Sequence, residues 1–122
     1  MEIIDNFLTE SEYQLIFDVL TSNEFPWFYN DSVDYDGQEI ENFQFTHNFI
    51  RMEHLHYSVT QTIQLMFPIL DRLKPVHLLK LKANLNVRGD GGKIGKFHKD
   101  VGVEGAKTAI FYVNTNNGYI EW

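Results

Sequence analysis

Hydrophobic and polar residues alternate most strictly over residues 79–87. Leu79, Leu81, Ala83, Leu85 and Val87 fall on one face of an extended chain, and Lys80, Lys82, Asn84, Asn86 and Arg88 on the other. This pattern predicts a half-buried strand running on from His77, ended by the turn residues Gly89-Asp90-Gly91-Gly92. Residues 43–51 begin with the same alternation and predict a second strand, with His47 on its polar side as a hydrogen-bonded structural residue. Residues 107–114 predict another. The run Thr115-Asn116-Asn117-Gly118 carries an Asn-Gly hairpin turn into a last strand, Tyr119-Ile120-Glu121-Trp122.

Helical spacing dominates earlier in the chain. Thr9 with Glu12 three residues on makes a capping box, and Leu8 and Tyr13 stand where a hydrophobic staple places them. From there Leu15, Ile16, Val19 and Leu20 form a stripe that predicts a helix to about Ser22, packed over a sheet. Ser58 with Gln61 repeats the capping pattern, and Val59, Ile63, Met66, Phe67 and Leu70 predict a second helix. Pro68 should kink or restart it, and Pro75 should stop it near Leu73. Phe25-Pro26-Trp27-Phe28-Tyr29 is β-prone, and residues 30–42 are polar and acidic with Gly37, a long loop of the kind that often contacts substrate. Helices first and strands at hairpin spacing afterwards predict an α+β fold with an antiparallel sheet or partial barrel. The 122 residues suffice for a single domain, 1–122, in which residues 1–75 give helical and strand support and residues 76–122 the first strands of the barrel.

Composition narrows the classes. An aromatic content of 15% favours a packed chain over a disordered one, and no window reaches the roughly 18 apolar residues of a membrane span. Met1-Glu2-Ile3-Ile4-Asp5 lacks the layout of a signal peptide, and the chain has no cysteine, so a cytoplasmic location is expected and thiolate metal sites are excluded. The net charge of −7 is uneven: residues 1–73 hold two arginines against thirteen acids, net −11, and residues 74–122 hold seven lysines and Arg88 against four acids, net +4. The cationic half suits a small anion and is too sparse to argue for nucleic acid.

Candidate chemistry centres on Gly95-Lys96-Phe97-His98-Lys99-Asp100. In extended backbone His98 and Asp100 point the same way, so an imidazole and a carboxylate could share one metal ion. The glycines upstream do not make a phosphate loop. A Walker A pattern ending at Gly95-Lys96 needs Ser or Thr at 97 and Gly at 90, and the chain has Phe97 and Asp90. Arg88-Gly89-Asp90 has no secretory context, and His54-Leu55-His56, just before a helix entrance, reads as surface.

Taken together, Leu81-Lys82-Ala83-Asn84-Leu85, the His98-x-Asp100 pair and the run from Lys107 to Tyr119 (Lys-Thr-Ala-Ile-Phe-Tyr-Val-Asn-Thr-Asn-Asn-Gly-Tyr) resemble the Fe(II)/2-oxoglutarate-dependent dioxygenases. The prolyl-4-hydroxylase-like branch, with its phage-type members, is the nearest, which allows a host-cytoplasm setting as well. The resemblance covers residues 76–122 with fair specificity and residues 3–73 loosely. It implies N-terminal helices packed on part of a double-stranded β-helix (jelly-roll), incomplete at the C-terminus. It implies a hydroxylase using Fe(II), 2-oxoglutarate as cosubstrate and, in some members, ascorbate, on a peptide or small-molecule substrate, with no membrane. By the same resemblance His98 and Asp100 are iron ligands, Tyr112 contacts a 2-oxoglutarate carboxylate from an inward face shared with Thr108, Ile110 and Asn114, and Asn84 and Asn86, inward in the same scheme, line the cosubstrate pocket.

The family's distal His and its Arg or Lys for the far carboxylate follow the hairpin at residues 115–118, so the chain reads as an N-terminal portion, inactive alone. An exposed strand edge there would favour homo-oligomers. Two other readings stay open: a cupin-like metal- or sugar-binding module, since Gly92, His98, Asp100 and Glu104 nearly trace a cupin motif, and a metal-free interaction module.

Overall fold

Thr9 opens the first helix in the computed structural model, which describes residues 2–31, 43–53, 56–87 and 102–116. Its hydroxyl faces the backbone N–H of Glu12 at 3.4 Å, while the Glu12 carboxylate accepts the Thr9 N–H at 2.8 Å, so two otherwise orphaned donors are satisfied reciprocally. Helix α1 spans Glu10–Leu20. Ile16 and Leu20 are buried and Val19 is partly covered, whereas Leu15, expected in the same stripe, is 56% exposed. Leu15 lies about 100° of helical rotation from Ile16, enough to carry it off a narrow buried stripe.

Among the described residues four strands form one antiparallel sheet around β2, Gln44–Glu53. Strand β1, Phe28–Asn30, pairs with residues 44–46, and β3, His56–Val59, pairs with residues 50–53. Strand β4, Lys80–Leu85, pairs with residues 45–51, with a bulge between Asn48 and Ile50. Arg51 pairs with both Ser58 and Lys80, and Phe45 with both Tyr29 and Leu85. It follows that β1 and β3 share one edge of β2 and β4 takes the other, making the sheet three strands across.

The stretch expected as one helix from Ser58 divides differently. Ser58 belongs to β3, so the Ser58–Gln61 capping box does not form. Thr60 occupies the N-cap without a side-chain cap bond, Gln61–Met66 is a 3₁₀ helix, and α2 follows as Phe67–Leu73. Pro68 sits in the first turn of α2, where its missing N–H is tolerated. The carbonyl of Gln64, which an α-helix would bond to residue 68, takes the N–H of Phe67 instead. Lys74 ends α2 in the left-handed conformation (φ 46°), and Pro75 follows.

Both helices and the 3₁₀ turn cover one face of the sheet. Ile16 and Leu20 of α1, Phe25, Phe49 of β2, Met66 and Ile69 make the core. Leu81 and Ala83 of β4 pack on its margin, as the alternation predicts, while Leu85 and Val87 are 43% and 59% exposed beyond it. Residues 107–114, expected as a strand, are in no ladder among the described residues. Their pleat survives without one. Phe111 and Val113 pack on the core, Ile110 and Tyr112 are exposed, and the Val113 carbonyl accepts the Tyr13 hydroxyl at 2.9 Å. The described residues therefore form an α+β structure with helices on one side of a small antiparallel sheet. No helix among them is long and apolar enough to cross a membrane.

Candidate functional site

Two segments that flank the His98-x-Asp100 motif expose polar side chains away from the helices. On β4, Leu81 and Ala83 meet the core, so the pleat turns Lys80, Lys82 and Asn84 to the opposite face. Asn84 is exposed there, opposite Thr46 of β2, and Asn86, just past the end of β4, is exposed as well. On the 107–114 segment Phe111 and Val113 face the core, and Tyr112 stands on the other side of the backbone at 50% exposure. Ile110 shares that outer side, and Asn114 is exposed. His98 and Asp100 lie outside the described residues, as do the glycine-rich turn, the 32–42 part of the acidic loop, His54 and residues 119–122.

Among the described residues no three of His, Asp and Glu gather where one ion could bind them. The donor set that the resemblance assigns to His98 and Asp100, one imidazole nitrogen and one carboxylate, is of the kind that Fe(II) accepts and would make two of the three protein ligands of a facial triad.

His47, expected on the polar side of its strand, instead faces the core. It is 3% exposed and lies on the core side of β2, in register with Ala83. Nδ1 is 2.9 Å from the Pro26 carbonyl, which can only accept, so Nδ1 carries the proton. In the neutral ring Nε2 then accepts from the Thr62 hydroxyl at 2.7 Å, and Thr62 Oγ1 lies 2.8 Å from Thr60 Oγ1. The rings of Phe25 and Phe49 stand 4.6 and 4.7 Å away. A ring nitrogen used on each side leaves no lone pair for a metal, so His47 is structural. Its residue number has the parity of Phe45 and Phe49, the signal that could have placed it inside.

A groove of about 420 Å³ runs between α1 and the 3₁₀ turn, lined by Leu15, Val19, Gln61, Thr62, Gln64 and Leu65. None of these side chains is titratable. Compared with known proteins, the sequence matches no family model, no curated protein and no solved structure.

Proposed function

We propose that this chain contributes the iron-binding segment and the cosubstrate-facing sheet of an Fe(II)- and 2-oxoglutarate-dependent oxygenase that hydroxylates a C–H bond. The observation that carries the reading is the sidedness of the two segments around His98-x-Asp100. Leu81, Ala83, Phe111 and Val113 turn to the helices, which leaves Asn84 and Tyr112 on the sides away from the core. Those are the residues that the resemblance assigns to the cosubstrate, and in a jelly-roll with helices packed outside they would face the barrel interior.

In this reading the His98 imidazole and the Asp100 carboxylate hold the metal, and a third protein ligand completes the triad. When bound, Fe(II) and 2-oxoglutarate supply the reaction of O2 with the keto acid that yields CO2, succinate and one oxygen atom for the substrate C–H bond. The Tyr112 hydroxyl donates a hydrogen bond to a 2-oxoglutarate carboxylate, and the side-chain amides of Asn84 and Asn86 orient the cosubstrate from β4. The apolar side of the sheet, closed by α1 and the 3₁₀ turn, keeps water from the backbone that carries these groups. Self-association of the chain belongs to the same proposal, and light scattering measures it.

The test is anaerobic addition of Fe(II) and 2-oxoglutarate to the protein, read as the visible charge-transfer band of a 2-oxo acid chelating Fe(II). We expect the band at high Fe(II) in the wild type and its loss in His98→Ala and Asp100→Ala. An undiminished band in both variants would refute the assignment.

A further inference from the structure

Apolar side chains continue along the core side of the sheet beyond the core itself. Phe45 shares the side of His47 and Phe49, so its partners across the ladders, Tyr29 of β1 and Leu85 of β4, lie on that side too. The core and the residues packed on it leave out Tyr29, Phe43, Phe45 and Leu85. Three of these four are rings in mutual contact. Tyr29 lies 5.6 Å from Phe43 and 5.9 Å from Phe45 between centroids, and Phe43 and Phe45 are 6.1 Å apart. Tyr29 and Phe43 are tilted by only 30°, whereas Phe45 stands at 73° and 90° to them, so the trio turns ring faces in two directions and makes a corner. Tyr29 is 60% and Phe43 39% exposed. Charge is concentrated on the same stretch of chain. Residues 28–45 hold Asp31, Asp34, Asp36, Glu39 and Glu41 and no Lys, Arg or His. Because Asn30 pairs with Gln44, the acidic segment leaves and rejoins the sheet beside these rings.

We propose that the corner formed by Tyr29, Phe43 and Phe45 binds the quaternary ammonium group of a small molecule. Aromatic faces carry negative charge density, and centroids this close leave a point a few ångströms above the trio within about 6 Å of all three, the reach of a cation–π contact. A quaternary ammonium is rounded and spreads its charge over its methyl groups. It therefore leaves water at less cost than the compact, strongly hydrated ammonium of a lysine. Leu85, 43% exposed beside Phe45, offers the methyl groups a further apolar contact. The five acids draw a cation to this end of the sheet from a distance. The site lies on the side of the sheet opposite Asn84, and it does not rest on the oxygenase reading.

The test is NMR titration of the protein with choline and with 3,3-dimethylbutan-1-ol, which has the same shape without the charge. We expect choline to shift the ring resonances of the trio saturably, and the neutral alcohol to bind several-fold more weakly. Added salt should weaken choline and spare the alcohol. Tyr29→Leu and Phe43→Leu should each weaken choline about two- to fivefold, the size of one exposed cation–π contact. Tyr29→Phe, which keeps the ring, should retain the affinity, and Phe28→Leu, an exposed ring outside the trio, should leave it unchanged. Amide spectra report whether each variant keeps the fold. The site is refuted if choline does not saturate, if the alcohol matches it, or if Phe28→Leu weakens it as much as Phe43→Leu. A trimethyl-lysine peptide that binds where choline does not would overturn the small-molecule assignment. Dimers that Phe43→Leu disperses, in a protein indifferent to choline, would give the corner to a second copy of the chain and overturn it too. No iron or 2-oxoglutarate enters these titrations, so their failure and that of the oxygenase reading are separate results.

Discussion

The Nε2 atom of His47 on β2 and the Oγ1 atom of Thr62 in the 3₁₀ helix lie 2.7 Å apart, and this contact fastens the helical layer to the sheet from inside. With Nδ1 engaged by Pro26, a ring that is 3% exposed has both nitrogens satisfied. Thr62→Val should leave Nε2 buried without a partner and lower unfolding stability by about 1–3 kcal/mol. Thr60→Val should cost less, because the Phe49 carbonyl keeps the Thr60 N–H bond at 3.0 Å. Chemical denaturation of the two variants checks the order. Equal losses would mean that the hydroxyl pair matters as a packing unit and the imidazole bond does not.

A second prediction concerns acid. The Glu12 carboxyl is lowered from 4.5 to about 2, first by the Thr9 hydroxyl at 2.7 Å, then by Arg72 of α2 at 2.7 and 3.1 Å and by the Thr9 N–H. Its folded value lies below its unfolded one, so the unfolded chain binds more protons between the two. The stabilisation is present above about pH 4.5 and is lost as pH falls toward about 2. Because both partners are partly exposed, salt should weaken it. Glu12→Gln should flatten the pH dependence of stability across that window, and unfolding curves at several pH values measure it. Thr9→Ala removes the cap as well and should cost about 0.5–2 kcal/mol at neutral pH.

Much of the helical layer was legible because short-range chemistry fixes it. Thr9 and Glu12 meet as the capping box requires, Pro68 divides the second helical stretch, and helix α2 stops at Leu73 before Pro75. Strand β2 and the Leu81–Ala83 stripe of β4 follow from alternation alone. The misreadings have physical sources. Ser58-x-x-Gln61 imitates a capping box, yet Ser58 pairs with Arg51 across a ladder, and a sequence read locally cannot see a partner strand. Residues 107–114 keep the period-two pattern of a strand, but pairing is a property of two segments, and the pattern reports only which side chains meet the core.

The candidate site was legible in part. The sidedness of Asn84 follows from its apolar neighbours, and that of Tyr112 from Phe111 and Val113, all readable as alternation. The placing of Asn84 opposite Thr46 was not, because the two are far apart in sequence and only the register of β2 on β4 sets them side by side.

Tyr112 provides a third prediction, tied to the cosubstrate. With its ring on the exposed side of the 107–114 segment, Tyr112→Phe should weaken 2-oxoglutarate by about 1.5–3 kcal/mol, the loss of one hydrogen bond to a charged group, and leave Fe(II) affinity nearly unchanged. Since Tyr112 is not in the core, thermal stability should hold as well. Parallel loss of both ligands, with a lower melting temperature, would make Tyr112 a structural residue.

The proposed iron ligands are tested most directly by anaerobic calorimetric titration of the protein with Fe(II), beside the single variants His98→Ala, Asp100→Ala and His56→Ala. With two protein ligands from one short segment and water in the remaining positions, we expect weak binding to the 122-residue chain, abolished in His98→Ala and Asp100→Ala and unchanged in His56→Ala. Tight, stoichiometric Fe(II) that survives His98→Ala would contradict the assignment.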